Sequence, residues 1–453
     1  MIMRTLREKS TARRWDYLPE FAQEQLPRYT SYPPANRFNG AIGPGAASAA
    51  LLSLPESASL SLYLHIPYCQ MLCWYCGCHT SVPTKADPID SYIDALEIEI
   101  AQVAEQLPAG PRVTRLHFGG GSPDILSPPQ IDRLFSALRG AFSFSRYPEI
   151  AAESDPRGLS REVIDAFARN GLTRASMGVQ VLDRGVQDRI NRIQPPASIE
   201  TAIRSLRAAG VDGINFDLMY GLPGQTREHV VETATFAAMQ DVDRVAVFGY
   251  AHVPWMKKHQ KGICVDDLPS GEIRFRQAEA AACTLEQAGY LPIGFDHFAA
   301  PGDALATADR DGRLHRNFQG YTDDNTTALI GLGASAISSL PGLIYQNVAD
   351  TALYRAALSE RRSPVVRGAA ISGGDMETAR LIERLLCDFE IDLPTSYMAA
   401  CAERLSRVID AGLAELHGHR LQVTARGRPY VRNVAACFDP ELAPHVGRHS
   451  LAV

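Results

Sequence analysis

No long hydrophobic run occurs in this sequence of 453 residues. No segment approaches the roughly 20 apolar residues that a membrane-spanning helix needs, so we expect no membrane segment. The first residues, MIMRTLREKSTARRWDYL, lack the apolar core of a secretory leader, and Glu8 and Asp16 argue against a transit peptide. We therefore expect a cytoplasmic protein. In that reducing compartment, clustered cysteines indicate metal or redox chemistry rather than disulfides.

The sequence also has no excess of positive charge. Its formal net charge is −6 at pH 7, which leaves no surplus of Lys and Arg to neutralise phosphates and argues against general nucleic-acid binding. Two local basic clusters remain, RR at 13–14 and MKKHQK at 256–261. Clusters of this size are usually a solvated face, and they also suit a small acidic substrate.

Short β-rich runs alternate with helical patterns along the middle of the chain. The β runs are LSLYLHI (60–66), TRLHF (114–118), EIAAES (149–154), TRASMGVQ (173–180), GINFDLMYG (213–221), DRVAVFGYAH (243–252) and YLPIGFDHF (290–298). The helical patterns include 87–107, 129–142, 160–171 and 198–210. Strand, helix and strand at this spacing predict an α/β fold with six or seven parallel units.

Polar and glycine residues at the ends of those β runs favour a barrel over an open sheet. Gly119 to Gly121, Glu153, Gln180 and Asp217 lie at or just after strand ends. In a barrel such ends converge on one mouth, whereas an open sheet gathers only those near its switch point. We therefore predict a partial (β/α)6-type barrel over 55–300, preceded by an N-terminal arm (1–54). The remainder, 301–453, is predicted to be a connecting segment and a mostly helical, winged-helix-like C-terminal domain.

Four of the nine cysteines lie in one short loop, CQMLCWYCGC at 69–78. A structural zinc site usually needs two separated cysteine pairs, and no second pair is present. The alternatives are an iron–sulfur cluster bound through the C-x3-C-x2-C spacing of Cys69, Cys73 and Cys76, a zinc site, and unconnected buried thiols. The cluster is favoured. It leaves one iron without a protein ligand, open to a molecule that brings its own amine and carboxylate.

The spacing resembles the signature of the radical SAM superfamily, whose open iron holds S-adenosylmethionine (SAM). LHFGGGSP (116–123) resembles the superfamily motif for the methionine group of SAM. Further motifs follow the same order as in one family: PRYTSYP (27–33), ESDPR (153–157), MGVQ (177–180), NRIQP (191–195), NFDLMYGLPGQT (215–226), YAHVPWMK (250–257), DHFA (296–299), RNFQGYT (316–322) and GLGASAIS (331–338). Over nearly its whole length the chain resembles the oxygen-independent coproporphyrinogen III oxidase family.

The resemblance implies a 4Fe-4S cluster on Cys69, Cys73 and Cys76, with Cys78 as an additional cysteine that is not a ligand. It also implies two bound SAM molecules. The positions that match those around the cluster-bound SAM are Tyr63, Tyr75, Glu153 and Ile337. The positions that match those around the second SAM are Gly120, Gly121, Ser122, Gln180, Arg192, Asp217 and Ala251. Ser122 and Asp124 depart from the usual Thr-Pro-Thr of this motif, which bears on the second site.

The family reaction is oxidative decarboxylation of two propionate side chains of coproporphyrinogen III, giving the vinyl groups of protoporphyrinogen IX in haem biosynthesis. The resemblance implies hydrogen abstraction by a 5′-deoxyadenosyl radical and a reducing electron donor such as flavodoxin or ferredoxin. It implies a monomer without nucleic-acid or membrane partners. The substrate carries four carboxylates, and Arg28, Lys257, Lys258 and Arg316 are candidates by position to bind them.

Three rival functions stay open at this point. A haem chaperone of a related branch typically lacks the fourth cysteine and the RYTSYP arm, and both are present here. A radical SAM methyltransferase or cyclopropanase would use the second SAM as a carbon donor. A winged-helix regulator with a cluster as its sensor is disfavoured by the net negative charge.

Overall fold

A single large sheet dominates the computed structural model, which describes residues 15–83 and 87–442. The strands, in chain order, are β1 Ser59–Ile66, β2 Arg112–Gly120, β3 Ser143–Ser154, β4 Arg174–Gln180, β5 Gly213–Tyr220, β6 Arg244–Gly249, β7 Leu291–Ile293, β8 His297–Ala299, β9 His315–Asn317, β10 Gly320–Thr322, β11 Ala328–Leu332, β12 Ile337–Leu340, β13 Leu343–Asn347, β14 Val365–Ala370, β15 Glu390–Asp392, β16 Ala414–His417 and β17 Arg420–Val423. The large sheet has the order β14-β13-β12-β11-β1-β2-β3-β4-β5-β6-β8-β7.

The α-helices among these residues begin with a short turn in the N-terminal arm. They are α1 Pro19–Ala22, α2 Pro44–Leu52, α3 Asp87–Ala104, α4 Pro128–Ala141, α5 Arg161–Arg169, α6 Arg184–Arg189, α7 Pro196–Ala208, α8 Arg227–Met239, α9 Gly271–Gln287, α10 Ala304–Arg310, α11 Thr351–Ser359, α12 Gly373–Asp388, α13 Thr395–Ala400, α14 Ala402–Asp410 and α15 Val431–Ala436. Within the described ranges, no helix combines the length and apolarity needed to cross a membrane. The basic pair at 13–14 lies outside the described residues.

Strands β1 to β6 pair in parallel and in chain order, with a helix in each connection. The predicted α/β fold with a large, mostly parallel sheet is therefore confirmed. One predicted strand, 290–298, is wrong as a parallel unit. It forms the short antiparallel pair β7 and β8, and β8 runs antiparallel to β6. Gly294, at φ +57°, turns the chain between the two strands.

The pleat of β5 shows how the sheet aims polar groups into the barrel. Along β5, buried and half-buried residues alternate. Phe216 and Leu218 belong to the hydrophobic core, whereas Asp217 lines the interior cavities described below. Because side chains alternate along a strand, a one-residue shift in register would exchange these two sets.

The sheet does not end at the predicted boundary of residue 300. Strand β11 pairs in parallel with β1, and β12 to β14 extend the sheet as antiparallel strands. The buried carboxylate of Glu99, on α3, fastens this extension. It accepts hydrogen bonds from Gly333 N–H (2.6 Å), Asn347 Nδ2 (2.6 Å) and the Tyr354 hydroxyl (2.5 Å). Sequence pattern alone does not show such a non-local pairing.

The N-terminal arm packs on the C-terminal domain. The end of the described chain contains α14, the hairpin β16–β17 and α15, in the helix–hairpin–helix order that the sequence predicts. Phe21 of the arm stacks edge-on against Tyr430, with ring centroids 6.2 Å apart. Arg37 Nη2 donates to the fully buried Asp439 Oδ1 over 2.7 Å. These contacts hold the PRYTSYP segment between the barrel and the C-terminal domain.

Candidate active site

The cysteine loop, residues 67–81, follows β1 and is closed at its base. Cys69 N–H donates to Ser81 O over 2.9 Å, and Ser81 N–H donates to Pro67 O over 3.0 Å. Between these ends, Cys76 N–H donates to Cys73 O over 3.2 Å. This folding places Cys69, Cys73 and Cys76 along one cavity of about 520 Å³, which we call the cysteine cavity.

Neighbouring segments fix the backbone of the cysteine loop from outside. Residues 190–191 and 257–260 supply the contacts, which are Ile190 O to Trp74 N–H (3.0 Å), Asn191 Nδ2 to Leu72 O (2.9 Å), Lys257 Nζ to Cys78 O (2.8 Å), His259 Nε2 to Cys76 O (2.7 Å) and Gln260 Nε2 to Tyr75 O (3.1 Å). A loop with so many of its carbonyls engaged keeps its thiols in place before any ligand arrives.

Hydrogen-bond donors surround two of the sulfur atoms. Cys73 Sγ lies 3.4 Å from Arg192 Nη1 and 3.5 Å from Arg157 Nη2. The Cys78 thiol donates to Cys76, which lowers the pKa of Cys76 to about 7 and raises the pKa of Cys78 well above its usual range. Because metals bind the thiolate, the donors at Cys76 favour its binding form, whereas burial raises the pKa of Cys69 to about 12.

The cysteine loop fits an iron–sulfur cluster better than a single ion. Among the described residues, no group of three His, Cys, Asp or Glu side chains is arranged to hold one metal ion. A cluster makes a different demand, because each thiolate binds a different iron atom and the sulfurs stand farther apart. Cys69, Cys73 and Cys76 all line one chamber of about 520 Å³. Cys78 lines the same chamber, so its position alone does not exclude it as a ligand.

The glycine run ends β2 beside the cysteine loop. A Cβ on Gly121 would lie 2.4 Å from Tyr68 O, and a Cβ on Gly120, whose φ is +110°, would lie 2.5 Å from the His65 ring. Both glycines line the cysteine cavity. The sequence predicts that they clear space for a ligand. The structure adds that the protein's own atoms already require glycine at both positions.

Two carboxylates, one next to the end of β3 and one in the middle of β5, lie where the cysteine cavity meets a second cavity. This second space, the barrel cavity, has a volume of about 490 Å³, and Glu153 and Asp217 line both spaces. Gly120 N–H donates to Glu153 Oε2 over 3.1 Å. Burial raises the pKa of Asp217 to about 7, and the negative charge of Glu153 adds to the rise. Together the pair offers acceptors for an ammonium group or for hydroxyls.

Arg192 connects the cysteine loop to the sheet. It is buried, and besides Cys73 it donates to Asp155 Oδ2 over 3.1 Å and to Gly178 O over 2.5 Å. Burial excludes a surface ion pair as its role. Asp155 and its partner Arg157 were not predicted as site residues, although ESDPR was noted as a motif. An acidic residue directly after a strand end, with Arg two positions later, was the available signal.

Gln180, Ser122 and Ala251, three of the positions predicted to surround a second SAM, also line the cysteine cavity. Gln180 is buried at the end of β4 with φ +65°, an uncommon backbone conformation that costs free energy and recurs at binding sites. The Ser122 hydroxyl donates to the buried Asp124 Oδ1 over 2.7 Å. The two residues that depart from the family motif therefore form a pair, and the hydroxyl of Ser122 is already engaged.

The four positions predicted around the cluster-bound SAM divide between the two cavities. Tyr63 and Ile337 line the barrel cavity, Tyr75 lines the cysteine cavity, and Glu153 lines both. The Tyr63 hydroxyl lies 3.0 Å from His65 Nδ1. These four residues therefore lie on both sides of the boundary between the barrel cavity and the cysteine cavity.

Of the four basic residues predicted to bind substrate carboxylates, only Arg28 reaches the cysteine cavity. Lys257 Nζ is engaged with Cys78 O, and neither it nor Lys258 lines either cavity. Arg316 is buried against the ring of Tyr321, 4.5 Å from the centroid, and Nη1 lies 3.6 Å from Asp296 Oδ1. It also lies outside both cavities, so three of the four candidates are not supported by their positions.

Comparison with known proteins adds an independent result. A family model of the radical SAM superfamily matches residues 63–237. An oxygen-independent coproporphyrinogen III oxidase of Bradyrhizobium diazoefficiens is 43% identical over 97% of this chain and 100% of its own length. One from Escherichia coli is 40% identical, covering 92% of this chain and 93% of the relative. The solved structure of the Escherichia coli coproporphyrinogen III oxidase, described as a radical SAM enzyme, superposes with a TM-score of 0.88 at 38% identity, covering 92% of this chain and 100% of that one.

Proposed function

We infer the function from the premise that this chain belongs to the oxygen-independent coproporphyrinogen III oxidase family of the radical SAM superfamily. The protein is a radical SAM oxidoreductase of haem biosynthesis. In detail, we propose that it converts two propionate side chains of coproporphyrinogen III to vinyl groups, giving protoporphyrinogen IX. The observation that carries the proposal is the pair of adjoining cavities, which share Glu153 and Asp217 beside three cysteines.

The proposed cofactor site rests on the cysteine loop. Cys69, Cys73 and Cys76 would hold a 4Fe-4S cluster, with Arg192 beside Cys73 and Cys78 outside the ligand set. When bound, the reduced cluster and SAM supply hydrogen-atom abstraction, which no protein side chain offers. The residues of this chain fix the loop, favour thiolates and surround the reacting space with protein rather than bulk water.

Two SAM sites are proposed on either side of the shared carboxylates. Tyr63, Tyr75, Glu153 and Ile337 would surround the cluster-bound molecule. The second molecule would contact Gly120, Gly121, Ser122, Gln180, Arg192, Asp217 and Ala251. A carboxylate in each set provides the acceptor that an ammonium or ribose hydroxyl requires.

Further parts of the proposal concern partners and setting. The reaction needs a low-potential electron donor, which we propose to be flavodoxin or ferredoxin. We propose a cytoplasmic monomer with a small-molecule substrate and no nucleic-acid or membrane partner. The domain division is proposed as an arm (1–54), a barrel domain (55–300) and a C-terminal part (301–453), with the strands of 328–370 completing the barrel's sheet.

The number of bound SAM molecules tests this arrangement. Equilibrium dialysis under anaerobic conditions, on fully reconstituted protein, should give two SAM per chain. Asp217→Asn should reduce this to about one, because it removes an anionic acceptor from the second site only. Asp188→Asn, on the exposed face of α6, is the matched control and should leave two. A stoichiometry of one in the unmodified protein would eliminate the second SAM site.

A further inference from the structure

A small cavity lies where the N-terminal arm, the barrel and the C-terminal domain meet. Its volume is about 70 Å³, and three guanidinium groups line it, one from each part: Arg28, Arg274 and Arg432. Asp296 is the one carboxylate among the lining residues. We call this space the arginine pocket. Arg28 belongs to the PRYTSYP motif and is one of the four candidate substrate cations, whereas neither the motifs nor the SAM positions above assign a role to Arg274 or Arg432.

Like Arg432, and unlike the exposed Arg28, Arg274 is buried. It lies on α9 with 9% of its surface exposed, and its Nε is buried without a hydrogen-bond partner in the described structure. A Cβ on Gly221 would lie 2.7 Å from Arg274 Nη1, and one on Gly249 would lie 3.3 Å from Nη2. The guanidinium group thus lies directly over the carboxyl ends of β5 and β6. That edge of a barrel is where substrates are bound.

Among the described lining residues, the single carboxylate of Asp296 does not neutralise Arg28 and Arg274. Asp296 is already engaged, since its Oδ1 lies 2.6 Å from His297 Nδ1 and 3.6 Å from Arg316 Nη1. Burial lowers the pKa of Arg274, and the positive charge of Arg28 lowers it further. A buried cation costs free energy unless an anion or hydrogen-bond acceptors compensate it. The pocket therefore favours an anionic ligand.

The pocket opens towards the proposed reaction space. Arg28, Phe248 and Gly249 line both the arginine pocket and the cysteine cavity. Arg28 is exposed at this junction and donates from Nη2 to Gly249 O over 3.2 Å. A ligand in the cysteine cavity can therefore extend a negatively charged arm past Arg28 towards Arg274.

We propose that the arginine pocket binds one propionate carboxylate of the tetrapyrrole substrate and so anchors the ring beside the cluster, an assignment that rests on the proposed function. A cavity of this size accepts a carboxylate and a few waters but no ring system. Phe295 and Phe298 are among its apolar walls, which suit the two methylenes of a propionate. Arginine binds carboxylates through paired, charge-assisted hydrogen bonds.

A SAM carboxylate is the other source of the same chemistry. An amino-acid carboxylate brings an ammonium group with it, and that group would meet three guanidinium groups. Asp296, the only carboxylate among the described residues that line the pocket, is already held by His297 and Arg316. Like-charge contact therefore disfavours the amino acid, whereas a propionate carries no cation.

Binding of coproporphyrin III tests the proposal, because this stable oxidised ring carries the same four propionates as the porphyrinogen. Fluorescence titration of the reconstituted protein should show binding about tenfold or more weaker in Arg274→Gln, the size expected for losing charge-assisted hydrogen bonds. Arg28→Gln, at the exposed mouth, should weaken binding in the same direction. Arg204→Gln, on the surface of α7, should bind like the unmodified protein.

The tetramethyl ester of coproporphyrin III separates anchoring from folding, because it keeps the ring and removes the charges. The two pocket variants should bind the ester as the unmodified protein does, and their SAM stoichiometry should be unchanged. Equal losses for acid and ester would overturn the proposal, as would unchanged binding of the acid in both variants. Loss of one SAM with retained porphyrin affinity would assign the pocket to SAM instead. If Arg274→Gln does not fold, the binding of the acid and the ester by Arg28→Gln decides whether the proposal stands.

The failure of this assignment is distinguishable from failure of the proposed function. Unmodified protein that binds coproporphyrin III through the arginines but does not convert the porphyrinogen would retain the pocket and reject the reaction. If the unmodified protein converts the porphyrinogen and both pocket variants have an unchanged KM for coproporphyrinogen III, the proposed reaction is supported and the assignment of the arginine pocket is rejected.

Discussion

The backbone N–H of Cys78 donates to the sulfur of Cys76 across 3.3 Å. A donor at this distance stabilises negative charge on the sulfur, which is the form that binds a metal. Because the contact uses the main chain, it does not depend on the Cys78 side chain. Cys78, the fourth cysteine of the motif, can therefore stabilise the cysteine loop through its backbone without a bond between its own sulfur and iron.

Replacement of single cysteines tests the ligand assignment. Cys69→Ala, Cys73→Ala and Cys76→Ala should each abolish the visible thiolate-to-iron absorbance after anaerobic reconstitution, because a corner of the cluster loses its ligand. Cys78→Ala should keep that absorbance and the iron content, since the N–H donor to Cys76 survives. Loss of iron in Cys78→Ala, with iron retained in one of the other three, would reassign the ligands.

Arg192→Gln should destabilise the protein without cofactors. The change removes charge-assisted hydrogen bonds to Asp155 and Cys73 from a buried site, and a loss of about 2 kcal/mol in the free energy of unfolding is expected. Thermal unfolding followed by circular dichroism measures the change. Arg184→Gln removes an exposed ion pair with Asp188 and should stay within about 0.5 kcal/mol. Equal melting of the two variants would contradict the role given to Arg192.

The buried Glu99 predicts a pH dependence of stability. Burial raises the pKa of Glu99 to about 7, above its ordinary value of about 4.3. A carboxyl whose folded-state pKa is raised contributes most to stability below its unfolded pKa. That contribution is lost as the pH rises from about 4 through about 7.

Glu99→Gln tests this sign. The glutamine lowers the melting temperature because its amide cannot satisfy three donors, but it does not titrate. The advantage of the unmodified protein over Glu99→Gln should therefore be larger at pH 5 than at pH 8. Differential scanning calorimetry of the two proteins without cofactors measures the melting temperature at each pH. A difference that stayed constant or grew with pH would show that Glu99 is ionised in the folded protein throughout.

The rule that functional residues gather at the carboxyl ends of parallel strands locates several site residues from the sequence alone. Glu153 and Gln180 lie next to or at the ends of the neighbouring strands β3 and β4, and both line the cysteine cavity. Asp217 also lines this cavity, but the prediction that it lies at a strand end is wrong, because β5 continues to Tyr220. The pattern is local, since each residue is placed by its own strand, and parallel pairing does the rest. The cysteine spacing is local in the same way, because one loop carries all three thiols.

Other features depend on contacts that no local pattern records. Helix α8 is buried on several faces, so its apolar residues show little helical periodicity and the sequence pattern does not mark its ends. Helix α9 buries polar residues, among them Arg274 and Gln277, which obscures its amphipathic signal. The arginine pocket joins residues from the arm, the barrel and the C-terminal domain. The contacts of Lys257 and Arg316 with Cys78 O and Asp296 are not visible in the sequence either, because these partners are distant along the chain.

The most direct test of the central claim is mass spectrometry of the porphyrin product. Reduced, reconstituted protein is incubated without oxygen with SAM, coproporphyrinogen III and a crude cell extract as electron source and acceptor; a heat-treated sample of the protein is the control. The account predicts loss of two formic-acid equivalents from the ring, with methionine and 5′-deoxyadenosine formed. An unchanged ring mass with tight haem binding, or a ring made heavier by methyl groups with S-adenosylhomocysteine formed, would contradict it.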